Sequence, residues 1–191
     1  MLGRSADGVS FAYGKMKEIL FSNQDQIVRH TCREDLPRIE AIYDAARERM
    51  HTTGNPTQWI NHPKISLIES DMAAGKSYVI EQDGEVCGVF YFAVEDDETY
   101  HELHDGAWLN DEPYCVIHRI AGDGIHRGIL QTAVAFALTL CRNVRIDTHA
   151  NNTPMQRALP KLGFVKCGKI YIHDEYSDHS PRDAFHLAVN E

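Results

Sequence analysis

No apolar run in this sequence reaches the roughly eighteen residues that a membrane-crossing helix needs. Cationic charge is also scarce. Lys and Arg total 19 against 28 Asp and Glu, for a formal net charge of −9. That balance argues against a phosphate backbone as the main partner, because such binding rests on clustered cations. The five cysteines, Cys32, Cys87, Cys115, Cys141 and Cys167, are odd in number, widely spaced and without a C-x-x-C. A disulfide framework or a four-cysteine zinc site is therefore not expected, and free thiols in a reducing cytoplasm are. The N-terminal stretch Met1–Lys17 lacks the apolar segment of a secretion signal. What is present is an ordinary globular composition: 191 residues, 43 % hydrophobic and 25 % charged, enough to bury a core. The expectation is a cytoplasmic protein with neither nucleic acid nor membrane as partner.

Residues 1–25 show no clear period and read as a loosely ordered lead-in, leaving 26–191 as one domain. Residues 26–33 read as the first strand. Leu36, Ile39, Ile42, Tyr43 and Ala46 recur at helical spacing behind Asp35 and Pro37. They predict a helix to about Met50, broken at Gly54-Asn55-Pro56. A second helix is expected over about 63–74, stopped by Gly75. Residues 77–82 and 86–94 read as strands joined at Asp83-Gly84. An irregular excursion follows over 95–112. It holds eight carboxylates and neither Lys nor Arg. Residues 114–121 are a strand, 128–141 a helix and 144–148 a strand. Asn152 or Thr153 caps a short helix that ends at Gly163. Residues 164–172 and 185–189 read as the last strands. The order specifies an α/β (α+β) fold built on a mixed sheet.

The strongest signal lies at 114–130. A strand (VIHRIA) feeds a glycine-containing loop (GDGIHRGI) that opens directly into a helix. A helix start has unpaired N–H groups and a partial positive charge, so this arrangement suits a phosphate, and Arg127 adds a cation. A dinucleotide fingerprint would follow the first strand, and a Walker loop would end in Gly-Lys-Ser/Thr. This loop does neither.

The segment 116–130, together with RIDTHANNTPMQRALPKLGF at 145–164, resembles the GNAT superfamily of acetyl-CoA dependent N-acetyltransferases. The segments Gly54–Trp59, Asp105–Trp108 and His118–Ala121 look like a bacterial subgroup of it. The family loop, Gln/Arg-x-x-Gly-x-Gly/Ala, falls on Ile125–Leu130, where Gly128 matches while Ile125 and Leu130 depart. Asn152, Met155 and Lys161–Phe164 match the downstream helix, and Leu159 stands where many members carry a Tyr general acid. The resemblance implies a GNAT-like mixed, mostly antiparallel sheet of about 6–7 strands flanked by about 4 helices, with splayed fourth and fifth strands. It implies acetyl-CoA as co-substrate, bound through Ile120, Ala121, His126, Arg127, Gly128, Ile129 and Asn152. It implies transfer to a primary amine of a small molecule or protein by direct attack in a ternary complex. A homodimer is compatible with it. The three departures keep open a second reading: a GNAT-fold module that binds coenzyme A or a related ligand as a sensor.

Direct attack by an amine requires removal of a proton, because an amine with a pKa near about 10.4 is almost wholly charged at neutral pH. Strand alternation puts Tyr114, Val116, His118 and Ile120 on one face, which the resemblance implies is the face of the fourth strand that often carries the base, and His118 is the first candidate. His149 and Asp147 are second choices. Tyr114 is a candidate proton donor in place of the missing helix Tyr. Gln58, Trp59 and Trp108 are large groups in turn-like sequence and are the expected acceptor contacts. The carboxylates of 95–112 would draw a cationic amine by a weak long-range field. His101-Glu102-Leu103-His104 lacks the H-E-x-x-H spacing, so no metal is expected.

Overall fold

The computed structural model describes residues 19–23, 25–60, 63–172 and 179–189. Its strands are β1 (Phe21–Asn23), β2 (Gln26–His30), β3 (Ser77–Gln82), β4 (Glu85–Val94), β5 (Cys115–Gly122), β6 (Asn143–His149), β7 (Val165–Ile170) and β8 (Arg182–Ala188). They form one sheet in the order β1-β2-β3-β4-β5-β6-β8-β7. Every neighbouring pair is antiparallel except β5 with β6. The helices are α1 (Leu36–Thr52), α2 (Ile65–Ala73), α3 (Ile129–Leu138) and α4 (Thr153–Lys161). This is the mostly antiparallel mixed sheet with four helices that the sequence led to expect.

The differences have local causes. Of the expected lead-in, residues 1–18 and 24 lie outside the described residues, and Phe21–Asn23 add an edge strand to β2. The first strand stops at His30 rather than running to Arg33. There the Asp35 carboxylate accepts the Cys32 N–H at 2.8 Å and pairs with the fully buried Arg29 at 2.7 Å. Asp35 therefore spends its side chain on the turn, and α1 starts without a side-chain cap. The last strand begins three residues early, at Arg182. Every residue from Asp183 to Leu187 is buried, so no alternation marks its start.

Helix α3 packs on one face of the sheet over Val28, Ile80, Phe90, Phe92 and Ile117. Helices α1 and α2 cover the other face over Val79, Val86 and Val89. Further along that second face, the excursion 95–112 folds down on Ala93, Val116, Ile170 and Ala184 through Tyr100, Leu103 and Trp108.

Two features of β5 prepare the site. Its parallel pairing with β6 is limited to Cys115↔Val144 and Val116↔Arg145. Beyond that point the two strands part, as the splay predicts. In addition, β5 carries a bulge. Tyr91 faces His118 and Val89 faces Ala121, so Phe90 alone opposes Arg119 and Ile120. Arg119 takes φ +50° there, and its carbonyl accepts the Tyr43 hydroxyl at 2.8 Å.

Candidate active site

A cavity of about 340 Å³ opens where β5 and β6 part. Ile117, His118, Arg119 and Ile120 form its β5 wall, and Ile146, Asp147 and Thr148 its β6 wall. Gln58 and Trp59 reach it from the loop after α1, Asp71 from α2, Tyr91 from β4, and Asn152 and Met155 from the start of α4. Strict alternation would send His118 and Arg119 to opposite faces. The bulge cancels that, and both side chains meet groups on the α2 face. Arg119 donates to Asp71 at 2.7 Å, and its guanidinium lies 4.7 Å from the Tyr91 ring centre. The His118 and Tyr91 rings lie 5.7 Å apart.

His118 lies between two carboxylates. Its Nε2 is 2.7 Å from Asp97 Oδ2, and its Nδ1 is 3.5 Å from Asp147 Oδ1. Tyr100 donates its hydroxyl to the same Asp147 oxygen at 2.9 Å. Burial alone would depress the imidazole, but the hydrogen bonds and charges of Asp147 and Asp97 outweigh it and raise the pKa to about 9. For Asp97, burial is outweighed by the hydrogen bonds from His118 and Thr99, which hold it below the usual carboxylate range. Asp147 is likewise lowered, by His118 and Arg182 against its burial. At neutral pH the site holds an imidazolium between two carboxylates.

At the far end of β5 the chain turns into α3. Gly128 is the N-cap with φ +83°, a conformation glycine adopts without strain. Asp123 organises the preceding loop: its Oδ1 accepts the N–H groups of Ile125 and His126 at 2.9 and 3.0 Å. Its other oxygen pairs with His126 Nδ1 at 2.8 Å and with Arg38 at 3.1 Å. Gln26 donates to the Arg127 carbonyl at 2.8 Å and fixes the loop from β2. Ile125 is 79 % exposed, so this departure from a polar residue leaves the loop open.

The model of the acetyltransferase (GNAT) family matches residues 37–164. The chain belongs to the GNAT acetyltransferase family. Among solved structures, a GNAT-family acetyltransferase of Streptococcus agalactiae is similar, with 26 % identity and a TM-score of 0.79 over 92 % of this chain and 100 % of that one. A GNAT-family acetyltransferase of Listeria monocytogenes shares the fold at 19 % identity and TM-score 0.63, over 86 % and 95 % of the two chains. The protein yncA of Salmonella typhimurium, solved with its cofactor acetyl-CoA, does so at 15 % identity and TM-score 0.53, over 87 % and 95 %. No curated protein matches the chain.

Within this GNAT fold the residues expected from sequence divide into two groups. His118, Ile120, Asn152, Gln58, Trp59 and Asp147 all line the cavity. Gln58 Oε1 accepts from both Asn55 and Asn152, the latter at 3.2 Å, and so ties the α1 loop to α4. Trp59 holds φ +62°, uncommon for so bulky a residue, and meets the Tyr43 ring edge-on at 5.5 Å. His126, Arg127, Gly128 and Ile129 form the loop and helix start beyond the cavity. Ala121 pairs with Val89 and packs with the α1 cluster.

The structure does not bring Tyr114, His149 or Trp108 to the cavity wall. The Tyr114 hydroxyl accepts the Asp97 N–H at 2.9 Å, and the Arg145 guanidinium lies over its ring at 3.8 Å. It steadies the loop that carries Asp97. His149, buried at the end of β6, has its Nδ1 3.3 Å from the Ser180 hydroxyl. Trp108 donates its indole N–H to the Tyr100 carbonyl at 3.1 Å and carries Arg145 over its ring, anchoring the excursion. The carboxylate run is mostly paired within the chain: Glu95 with Lys76, Asp96 with His101, Glu102 with His104 and Asp105 with Lys169. Asp97 alone of the run reaches the cavity. Sequence reasoning missed Asp97, Asp71, Arg119 and Arg182 as lining residues. Among the described residues, no cluster of three or more His, Cys, Asp or Glu side chains could hold a metal ion, and no helix is long and apolar enough to cross a membrane.

Proposed function

We propose that the protein transfers the acetyl group of acetyl-CoA to a primary amine, of a small molecule or a protein, by direct attack in a ternary complex. The observation that carries this reading is His118 in the parted cleft, held between Asp97 and Asp147. The cleft fits the arm of coenzyme A. Past Val116 the facing backbones of β5 and β6 are not paired with each other. On the β6 wall, Thr148 Oγ1 is buried without a hydrogen-bond partner. A ligand strand would supply what both lack. Ile120, Ala121 and Asn152 would hold the arm. Gly128, Ile129 and the loop residues His126 and Arg127 would hold the pyrophosphate at the α3 N-terminus. Acetyl-CoA supplies an acetyl group activated as a thioester.

The ammonium first gives one proton to solvent, and His118 in its neutral form accepts the second proton, which the nitrogen sheds as it attacks. The new C–N bond forms, the C–S bond breaks, and the imidazolium returns its proton to the sulfur. A thiol near about 8.5 and an imidazolium near 9 are closely matched, so one residue serves both transfers. This accounts for Leu159, fully buried in the core, where relatives carry a Tyr donor. Because His118 is protonated below about pH 9, kcat/KM rises with pH through about 9 and levels off above it. Thiol release with an amine panel, followed from mildly acid to alkaline pH, tests this. A flat profile with every accepted amine overturns the role of His118, and absence of any acetylated amine overturns the reading itself.

A further inference from the structure

The cavity is better supplied with cations than its acidic neighbourhood suggests. All three of its carboxylates already face a cation of the chain. Asp71 has Arg119 at 2.7 Å, Asp97 has His118 at 2.7 Å, and Asp147 has His118 at 3.5 Å and Arg182 at 4.0 Å. A purely cationic acceptor therefore meets no unclaimed negative charge among the described lining residues. The two guanidinium groups also each face a carboxylate, yet each keeps one donor unused. Arg119 Nε and Arg182 Nε are both buried, and neither has a hydrogen-bond acceptor. A buried charged donor left without an acceptor is costly and is normally satisfied by a ligand or water.

These two arginines flank the reacting centre. Arg119 follows His118 directly, and the bulge turns it to the same face. Arg182 starts β8 two residues before Ala184, the register partner of Asp147, and so stands on the Asp147 side of the sheet. Arginine's planar fork is the side chain best matched to a carboxylate. At about 340 Å³ the cavity is at the small end of ligand sites, which run from roughly 300 to 1,000 Å³. We infer that the acyl acceptor is a compact, amino acid-like zwitterion, whose carboxylate is received by Arg119 and Arg182 while its amine lies toward His118. This rests on the amine-transfer reading above and narrows its acceptor.

The test uses matched triplets over several side-chain sizes: an amino acid, its carboxamide, and the amine left when the carboxylate is removed. Thiol release from acetyl-CoA by the full chain is measured for each. The free acid is expected to exceed both partners in kcat/KM by about tenfold to a hundredfold. Arg182→Gln should lower the free-acid value by that factor more than it lowers the carboxamide value, so that the preference for the free acid collapses. Arg182→Lys, which keeps the charge and loses the fork, should fall between. If Arg182→Gln does not fold, the triplets on the unaltered chain decide alone. Carboxamides or decarboxylated amines that react as well as the free acids overturn the zwitterion and leave amine transfer standing. Turnover of peptide amines without any of free amino acids also overturns it. No turnover with any amine overturns both.

Discussion

His118 and His186 are two poorly exposed histidines on strands of one sheet, and they carry opposite charge states. His118 sits between carboxylates and is raised to about 9. His186, on β8, is wholly buried among dipoles. Its Nδ1 accepts the Leu109 N–H at 3.2 Å, so its Nε2 bears the proton and donates to Asn143 Oδ1 at 3.1 Å. Burial and the nearby Arg145 charge lower it to about 4. Depth does not decide the charge of an imidazole here; the sign of its neighbours does. The charged ring borders the cavity. The neutral ring pins the excursion to β6 and β8.

Exchanging the roles breaks the contrast most sharply. His118→Ala should cut turnover by about a hundredfold or more while acetyl-CoA affinity, read by calorimetry, stays nearly intact. His186→Ala should do the reverse. It strands the Leu109 N–H and opens a cavity, costing about 2–4 kcal/mol in urea unfolding with turnover per folded molecule little changed.

Unfolding followed against pH sharpens the contrast. His118 is raised from 6.5 to about 9, so its contribution is full below 6.5 and lost as pH rises toward 9. His186 is lowered from 6.5 to about 4, so its contribution is full above 6.5 and lost as pH falls toward 4. Each limb is worth on the order of 3 kcal/mol at most. Removing one histidine should flatten only its own limb. Next in size is Gly106→Ala. A Cβ there would lie 1.8 Å from the Cys167 carbonyl oxygen, so the excursion must lift from β7, at about 1–3 kcal/mol of stability. Lifting draws Asp97 away and should move the rate plateau to lower pH. The mildest change, Asp97→Asn, should move the plateau the same way and give up only the part of the His118 limb that Asp97 supports. An unmoved plateau would mean that Asp147 alone sets the His118 proton.

The contrast also shows what sequence could reveal. Seven of eight strands and all four helices were legible, because their apolar periods and turn residues agree. Strand β1 was not, since three residues on an edge carry no period. His118 was legible from alternation on a strand. Arg119 was hidden by the same rule, because a bulge reverses alternation and leaves no mark in the residues beside it. Asp97 was hidden among eight carboxylates that look alike. Its place is set by the fold-back of a loop, with Thr99 donating to its Oδ1 through N–H and hydroxyl at 2.9 and 2.7 Å. Trp59 and Trp108 look equivalent in sequence, yet only the first reaches the cavity.

The excursion also pairs with the sheet's last strand. His104 and Lys169 exchange two backbone hydrogen bonds, each of 2.8 Å, and so cover part of the exposed margin of β7. Exposed strand margins recruit other chains. The segment that delivers Asp97 to the imidazole is thus also a guard against aggregation. Damage to it would announce itself twice, as a shifted pH profile and as a protein that clumps.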